Sequence, residues 1–477
     1  MAGGVLGLSS LEASSLLVLA AYTVTGLIGP LFGTRTSRIL LYASSILALL
    51  GILYASSLPS VLHGYATGFN GAVVVDTFTV YLLLVALVIF ALTALAGRRT
   101  VDQWEASDAF YAVVGLMALG LIVLGFSRVL YLVYIAWILS AVSSYVLVAL
   151  YRDSVSAEAA LKYAVTGTAA TIILLLAVIL YYGVTASLTI GAAVSDASPL
   201  LVTPVVALAL IAIGFKMGMV PFHGWAIDVY GNTRPLIVAL VSAIAKILAA
   251  LFIVKLIVSF AVATPTIVLW VAGVLAAITM LYGNLGALTT IRDSPQKLLA
   301  YSSVAQAGYI AAGFASLATL PGIDNKAAIA GIALHTAGYA LSKFAGFLVL
   351  DSQCRYPNCG WDSMRGMAWR SPAAATALVL SVASLAGMPP TLGFWGKLYI
   401  VKAVSGASTG LALLLVVNFA IAAFYYGYLI YQLFARPRQQ EGVRDDRSDV
   451  AFVAALLTLI LGFMPQQAYQ LTVYGYS

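Results

Sequence analysis

The chain has 477 residues, of which 62% are hydrophobic, and a mean hydropathy of +1.02. It carries 41 charged residues, 24 basic and 17 acidic, where a soluble domain of this length would carry about a quarter. That excludes soluble enzymes, nucleic-acid binders and disordered chains, and two cysteines are too few for a disulfide framework.

A bilayer core takes about 20 apolar residues per helix. Fourteen runs meet that length, near 13–32, 38–57, 77–96, 108–127, 129–150, 158–183, 200–222, 235–258, 265–289, 298–318, 327–350, 372–403, 407–434 and 449–466. No series of short alternating segments suggests a barrel, so the expected fold is an all-α polytopic membrane protein of about fourteen spans. Glu12 and the lack of a basic leading region make residues 13–32 a retained span, not a cleaved signal.

The basic residues orient the spans. Alternate loops, beginning with the one between spans 1 and 2, hold Arg35, Arg38, Arg98, Arg99, Arg152, Arg234, Arg292, Lys297, Arg355, Arg365, Arg370, Arg436, Arg438, Arg444 and Arg447. The opposite loops hold only Arg128 and Lys326. Fifteen against two puts the first set in the cytoplasm and both termini outside. The cell membrane is the expected location. The basic pI of about 9.2 is therefore an orientation signal, with lipid headgroups as a secondary partner and nucleic acid excluded.

Seven basic residues remain inside or beside the spans. Lys162, Lys255 and Lys402 stand near span ends and are expected to snorkel to the interface. Lys216, Lys246, Lys343 and Lys397 stand well inside apolar runs. A lysine at a helix centre costs about 2.5–3.5 kcal/mol to insert. Four of them require polar partners, internal water or a neutral form, and a row of such groups joined by water can pass protons. No Asp or Glu lies mid-span; Asp76, Asp108 and Glu158 stand at helix starts and Asp153 in a loop. A carboxylate cation site is hard to build from this chain.

Several segments then converge. FKMGMVPFHGWAIDVYGNTRP (215–235) resembles the signature of the antiporter-like membrane subunits of respiratory complex I, closest to the subunit N branch. SAIAKI (242–247), GNLGALTTIRDSPQKLLAYSSVAQAGY (283–309), LAGMPPTLGFWGKLYI (385–400), SAEAALKY (156–163) and VVVDTFTVY (73–81) fit the same pattern. Cation/proton antiporter and membrane hydrogenase subunits are relatives of that family. The resemblance implies fourteen helices with two inverted five-helix units, spans 4–8 and 9–13, whose spans 7 and 12 are interrupted. The corresponding division is 1–107, 108–258, 259–434 and 435–477. GMVP at 218–221 and GMPP at 387–390 supply the breaks, because proline removes a backbone donor and clashes with the preceding turn. The family's proton-relay lysines map onto Lys216, Lys246 and Lys397.

The sequence departs from the pattern in three ways. The span 5 glutamate that pairs with the span 7 lysine is replaced by Ile138, or by Trp137 in a shifted alignment. The histidine of the YSSxAH pattern is Gln306. LHTAGYALSKFAGF (334–347) resembles the HxxxHxxxK helix of the antiporter relatives, with Tyr339 at the middle histidine. His335 and Lys343, eight residues apart, share one helix face. The site expected from these motifs is a relay of Lys216, Lys246, Lys343, Lys397 and His335, with His223 and Gln306 secondary.

Cys354 and Cys359, in CRYPNC, are expected to be free thiols, since two cysteines cannot complete a four-ligand zinc site. No Walker loop, Rossmann fingerprint, haem motif or iron–sulfur cysteine set is present, so no cofactor or metal is assigned to this chain. The leading expectation is a proton-translocating subunit of a complex I-type oxidoreductase of NADH or another donor, partnered by other membrane subunits and coupled to electron transfer that takes place elsewhere in the assembly. The alternatives are a subunit of a multisubunit cation/proton antiporter, or a structural subunit that has lost conduction.

Overall fold

Backbone polar groups find no water in hydrocarbon, so apolar runs of this length satisfy them within helices. The computed structural model describes residues 9–57, 65–192, 199–261, 264–318, 324–354, 356–357, 359–435 and 445–473. In chain order the helices are α1 (Ser10–Thr23), α2 (Thr34–Ser56), α3 (Thr77–Gly97), α4 (Ser107–Phe126), α5 (Leu130–Ala149), α6 (Ser154–Thr185), α7 (Pro199–Met217), α8 (Gly224–Asn232) and α9 (Pro235–Ala261). There follow α10 (Pro265–Thr289), α11 (Pro295–Ala315), α12 (Asn325–Gln353), α13 (Pro372–Ala386), α14 (Leu392–Ser405), α15 (Thr409–Phe434), α16 (Asp446–Gly462) and α17 (Pro465–Val473). A short antiparallel hairpin, β1 (Tyr65–Gly68) and β2 (Val73–Asp76), pairs Tyr65 with Asp76 and Gly68 with Val73.

Among the described residues, eleven helices are long and apolar enough to cross a membrane. A twelfth is added if α16 is joined to Pro465–Thr472, to which it is bent by 88°. Two expected spans fall outside this set for physical reasons. Helix α11 is diluted by serine, glutamine and glycine, and residues 372–403 are divided between α13 and α14 at the proline break.

Acidic residues at helix starts act as caps. The side chains of Asp76, Asp153, Asp324 and Asp445 accept from the first free N–H groups of α3, α6, α12 and α16. Loops expected on one side of the membrane meet at one end of the bundle. Arg38 pairs with Asp102 at 3.0 Å, Arg152 with Glu105 at 3.0 Å and Arg99 with Asp446 at 2.9 Å. Arg234 pairs with Asp351 at 3.3 Å and stacks over Trp104 and Tyr151 at 5.0 and 4.8 Å. Arg355, Arg436, Arg438 and Arg444 lie outside the described residues, as do both terminal residues.

Two expectations are corrected here. Lys255 does not snorkel: α9 runs past it to Ala261, and its Nζ turns inward to the carbonyls of Leu124, Gly125 and Ser127. It thereby caps the C-terminal end of α4, where helix carbonyls lack partners and the helix dipole is negative. Cys354 and Cys359 are joined in a disulfide, with Cα atoms 4.9 Å apart, instead of standing as free thiols. Lys162 and Lys402 do reach the surface, paired with Glu158 and Asp228 and with Asp324 respectively.

At the centre, α9 and α12 pack against each other with their apolar stretches wholly buried. Helices α1, α2, α6, α10 and α15 expose large apolar faces around them. The mid-helix polar residues Ser242, Lys246, His335, Ser342 and Lys343 are therefore buried within the protein.

Candidate functional site

Two interrupted helices flank this centre, and the interruptions are built alike. At the first, Gly218 has a φ of +71° and the Met219 N–H reaches back to the Gly214 carbonyl at 2.7 Å. At the second, Gly387 has a φ of +86° and the Met388 N–H reaches the Ala383 carbonyl at 2.9 Å. Only glycine takes such a left-handed turn without strain, and the prolines that follow cannot continue the helix. The freed backbone then needs partners. Trp225 Nε1 donates to the Phe215 carbonyl at 2.9 Å, and the Val220 N–H donates to Thr279 Oγ1 at 3.2 Å.

The four intramembrane lysines are all buried, each in a different setting. Lys216, on the last turn of α7, donates to Ser144 Oγ and Tyr163 OH, each at 3.2 Å. The rings of Tyr145 and Tyr163 both face its Nζ at 5.4 Å. Lys246, midway along α9, has Nζ between the rings of Tyr230 and Tyr339, 5.4 Å from each, and no hydrogen-bond partner among the described residues. Lys343, on α12, donates to the Leu299 carbonyl at 2.7 Å and to Ser302 Oγ. Its ammonium also faces Tyr339 at 6.0 Å. Lys397, on α14, donates to the carbonyls of Leu385 and Ala386 at 2.6 and 3.3 Å. It also faces the Tyr309 and Phe419 rings at 4.6 and 4.7 Å.

Lys246 and Lys343 share the Tyr339 ring, at 5.4 and 6.0 Å, and Lys216 is joined to Lys246 through the packed rings of Tyr163, Trp225 and Tyr230. At the far end His335 and Lys397 share the Tyr309 ring. His335 is buried against Tyr309, with ring centroids 5.9 Å apart, and its ring nitrogens make no well-formed hydrogen bond. Gln306 donates to the Leu385 carbonyl at 2.9 Å, sharing that oxygen with Lys397, and to Tyr426 OH at 3.3 Å. His223 does not join the row. It stands half-buried at the first break, with its ring 4.2 Å from Tyr282.

The span 5 position also resolves. The α5 residue that touches Lys216 is Ser144, one of the three serines of that helix, while Trp137 packs on Phe252 at 5.6 Å. Ile138 precedes Ser144 by six residues, which is about 9 Å of rise and 240° of turn. It therefore points to another face. Sequence reading missed the tyrosines that separate the lysines, Tyr163, Tyr230, Tyr309 and Tyr339. It also missed a buried knot in which Asn284 Nδ2 donates to Asn418 Oδ1 at 2.7 Å and Tyr425 OH donates to Asn284 Oδ1 at 2.9 Å. Two asparagines inside apolar runs were the available signal.

Chemically, the row offers groups that gain or lose a proton, spaced by hydroxyls that both donate and accept. Among the described residues no three His, Cys, Asp or Glu side chains converge as a metal site.

Residues 127–422 match the family model described as "NADH:quinone oxidoreductase/Mrp antiporter, TM". The chain is 34% identical over 417 residues to NADH-quinone oxidoreductase subunit N 2 of Symbiobacterium thermophilum, covering 82% of this chain and 80% of that one. It is 27% identical over 474 residues to F(420)H(2) dehydrogenase subunit N of Methanosarcina mazei, covering 95% and 94%. In structure it is similar to a chain of respiratory complex I from Thermus thermophilus, with a TM-score of 0.81, 26% identity and coverage of 96% and 98%.

Proposed function

Because the chain belongs to the NADH:quinone oxidoreductase/Mrp antiporter transmembrane family, we propose that it is the proton-translocating membrane subunit of a complex I-type quinone oxidoreductase. Its partners are the other membrane subunits of that assembly, and electron transfer takes place in other subunits of the complex. Subunit N relatives carry the names of both NADH and F(420)H(2) enzymes, so the donor is chosen elsewhere in the complex. We read the chain as fourteen spans in the cell membrane, with α11 and the α13–α14 pair counted as crossings and both termini outside. Two inverted five-helix units, within 108–258 and 259–434, each contribute one broken helix.

The observation that carries the reading is Lys246: wholly buried, unbonded, and set between two tyrosines on the helix pair at the centre of the protein. A structural lysine would have a fixed partner, whereas a carrier must be able to lose its proton. Unpartnered polar atoms at Lys246 Nζ and Tyr230 OH make a site that ordered water would bridge. The relay then runs Lys216, Lys246, Lys343, His335 and Lys397, each group responding to the charge of the next. Driving one charge against 100 mV costs about 2.3 kcal/mol, so the row must control each transfer.

The second reading, a subunit of a cation/proton antiporter, draws on the His335–Lys343 helix and on the breadth of the family. One experiment separates them. Lys397→Ala in the assembled complex should lower protons moved per electron while quinone reduction continues. Unchanged pumping in an intact complex would remove Lys397 from the path. Sodium-dependent transport without any redox partner would favour the antiporter.

A further inference from the structure

Lys216 lacks the family's acid, yet its Nζ is held in a closed triangle. Ser144 Oγ and Tyr163 OH each lie 3.2 Å from it and 3.1 Å from one another. The Tyr163 ring cannot wander. It stacks on Trp225 with centroids 4.1 Å apart and 7° between planes, and Tyr145 meets its edge at 4.4 Å. Trp225 is anchored in turn to the Phe215 carbonyl, on the residue before Lys216. Tyr145 is locked from behind, since a Cβ on Gly167 would come within 2.0 Å of its hydroxyl. Three fixed rings therefore aim one phenol at one lysine. The titratable groups facing Lys216 are Tyr145, Tyr163 and, across the interior, Lys246.

We propose that Ser144 and Tyr163 replace the missing acid as an amphoteric hydroxyl pair, which holds Lys216 in both of its charge states and hands it protons from the end of the bundle bearing Glu158, Lys162 and Asp228. The proposal rests on the relay reading and deepens it. A carboxylate only accepts hydrogen bonds, so it serves the N–H groups of either form and leaves the lone pair of the amine unpaired. A hydroxyl does both. Opposite the ammonium, both oxygens accept, as the geometry shows. Opposite the amine, one O–H turns to donate to the nitrogen lone pair, and no buried group is left unpaired.

In uptake the Tyr163 O–H bond breaks as an N–H bond forms on the Lys216 amine, directly or by exchange through Ser144. A proton from water then restores the tyrosine O–H. The net change is one proton moved from the aqueous side to Nζ, with no oxidant or reductant involved. The ion cluster of Lys162 with Glu158 and Asp228 stands on the same two helices, with Lys162 next to Tyr163 in sequence and Asp228 one turn beyond Trp225. Its side chains are between 39% and 68% exposed, so water reaches this end.

The test uses the assembled complex in liposomes, with proton uptake and quinone reduction read together across pH. Tyr163→Phe should slow pumping by about a hundredfold or more, the low side of what a positioned proton-transfer group contributes. Ser144→Ala should slow it less, and Ser144→Thr, which keeps the hydroxyl, should restore it. Ser144→Asp should shift the pH profile of pumping upward, because a carboxylate holds the lysine charged. A merely structural serine would leave that profile in place. The small Ser144 variants keep the test alive should Tyr163→Phe fail to assemble. Wild-type rates and an unshifted profile in the Ser144 variants, with pumping lost in Lys216→Ala, would overturn this inference alone. Normal pumping in Lys216→Ala as well would overturn the relay reading beneath it.

Discussion

Replacing Lys246 with methionine should leave the protein at least as stable while abolishing proton movement. A lysine at a helix centre costs about 2.5–3.5 kcal/mol to place there. Its Nζ recovers nothing from hydrogen bonds, since none is made among the described residues. The Tyr230 and Tyr339 rings, each 5.4 Å away, return about 1 kcal/mol apiece, more than at an exposed site because the lysine is desolvated and less than the full desolvated value because the distance is near the limit of the interaction. About 0.5–1.5 kcal/mol remains unrecovered. Methionine has similar length and adapts to irregular gaps, so it removes that deficit without opening a cavity. Unfolding entropy scales with chain length, and for a chain of this size 1 kcal/mol corresponds to about 1 °C. The melting temperature of the purified complex should therefore hold or rise by about 1 °C. In the same preparation, protons moved per electron should fall. A drop of several degrees would mean that Lys246 is a structural group whose partner has been misjudged. Unchanged pumping would mean that the path does not use it.

Gly396→Ala should impair pumping more than assembly, because its Cβ would meet the His335 backbone nitrogen at 2.3 Å and force α14, with Lys397, away from α12. Overpacking of this kind costs about 1–3 kcal/mol, which a thermal melt beside the pumping assay would detect. Asp351 is buried between Arg234 and Arg447 and also accepts from the Leu236 N–H. Asp351→Ala should therefore cost about 3 kcal/mol in a melt, and Asp351→Asn less, since the amide oxygen keeps one acceptor. Burial alone would raise the Asp445 carboxyl, but hydrogen bonds from Arg447 and its charge outweigh burial and hold it below the usual range. A depressed folded value gives stability that is complete above about pH 4 and fades as pH falls further. An acid melt should show Asp445→Asn losing the wild-type advantage above pH 4 and matching it in stronger acid.

What could be read along the chain was whatever acts locally. Glycine before proline ends a helix by its own chemistry, so both breaks were legible from four letters each. A lysine in an apolar run is legible because lipid offers it nothing. What surrounds that lysine was not legible, because its neighbours come from far away in the chain. Tyr230 and Tyr339 meet at Lys246 from different helices, and Tyr309 and Phe419 meet at Lys397. Tyrosine gives no warning, since it is equally at home in an interfacial belt. Lys255 misled for a related reason: nearness to a helix end suggested water, yet the carbonyls closing α4 lay nearer. Sequence left the place of the lost acid between Ile138 and Trp137 and could not say which side chains of α5 meet Lys216.

The two breaks differ in how they use the backbone they free. In the first, Lys216 precedes the break, and Trp225 takes the nearby Phe215 carbonyl. The lysine is left to hydroxyls, which suit it charged or neutral. In the second, Lys397 follows the break and binds the closing carbonyls of α13 itself, sharing the Leu385 oxygen with Gln306. Carbonyls accept and never donate, and they lie at the negative end of a helix dipole, so they favour the ammonium and leave the lone pair of an amine unpaired. One end of the row is thus permissive and the other retentive. On the relay proposed above, a proton taken up at Lys216 would move on without leaving an unpaired group, whereas Lys397 would give up its proton only when something displaced it from Leu385. Gln306, already bonded to that same oxygen, is placed to keep the carbonyl satisfied as the lysine leaves. That gives glutamine at this position a use that does not depend on titration, and it explains how a relay can tolerate its presence where the related pattern has histidine.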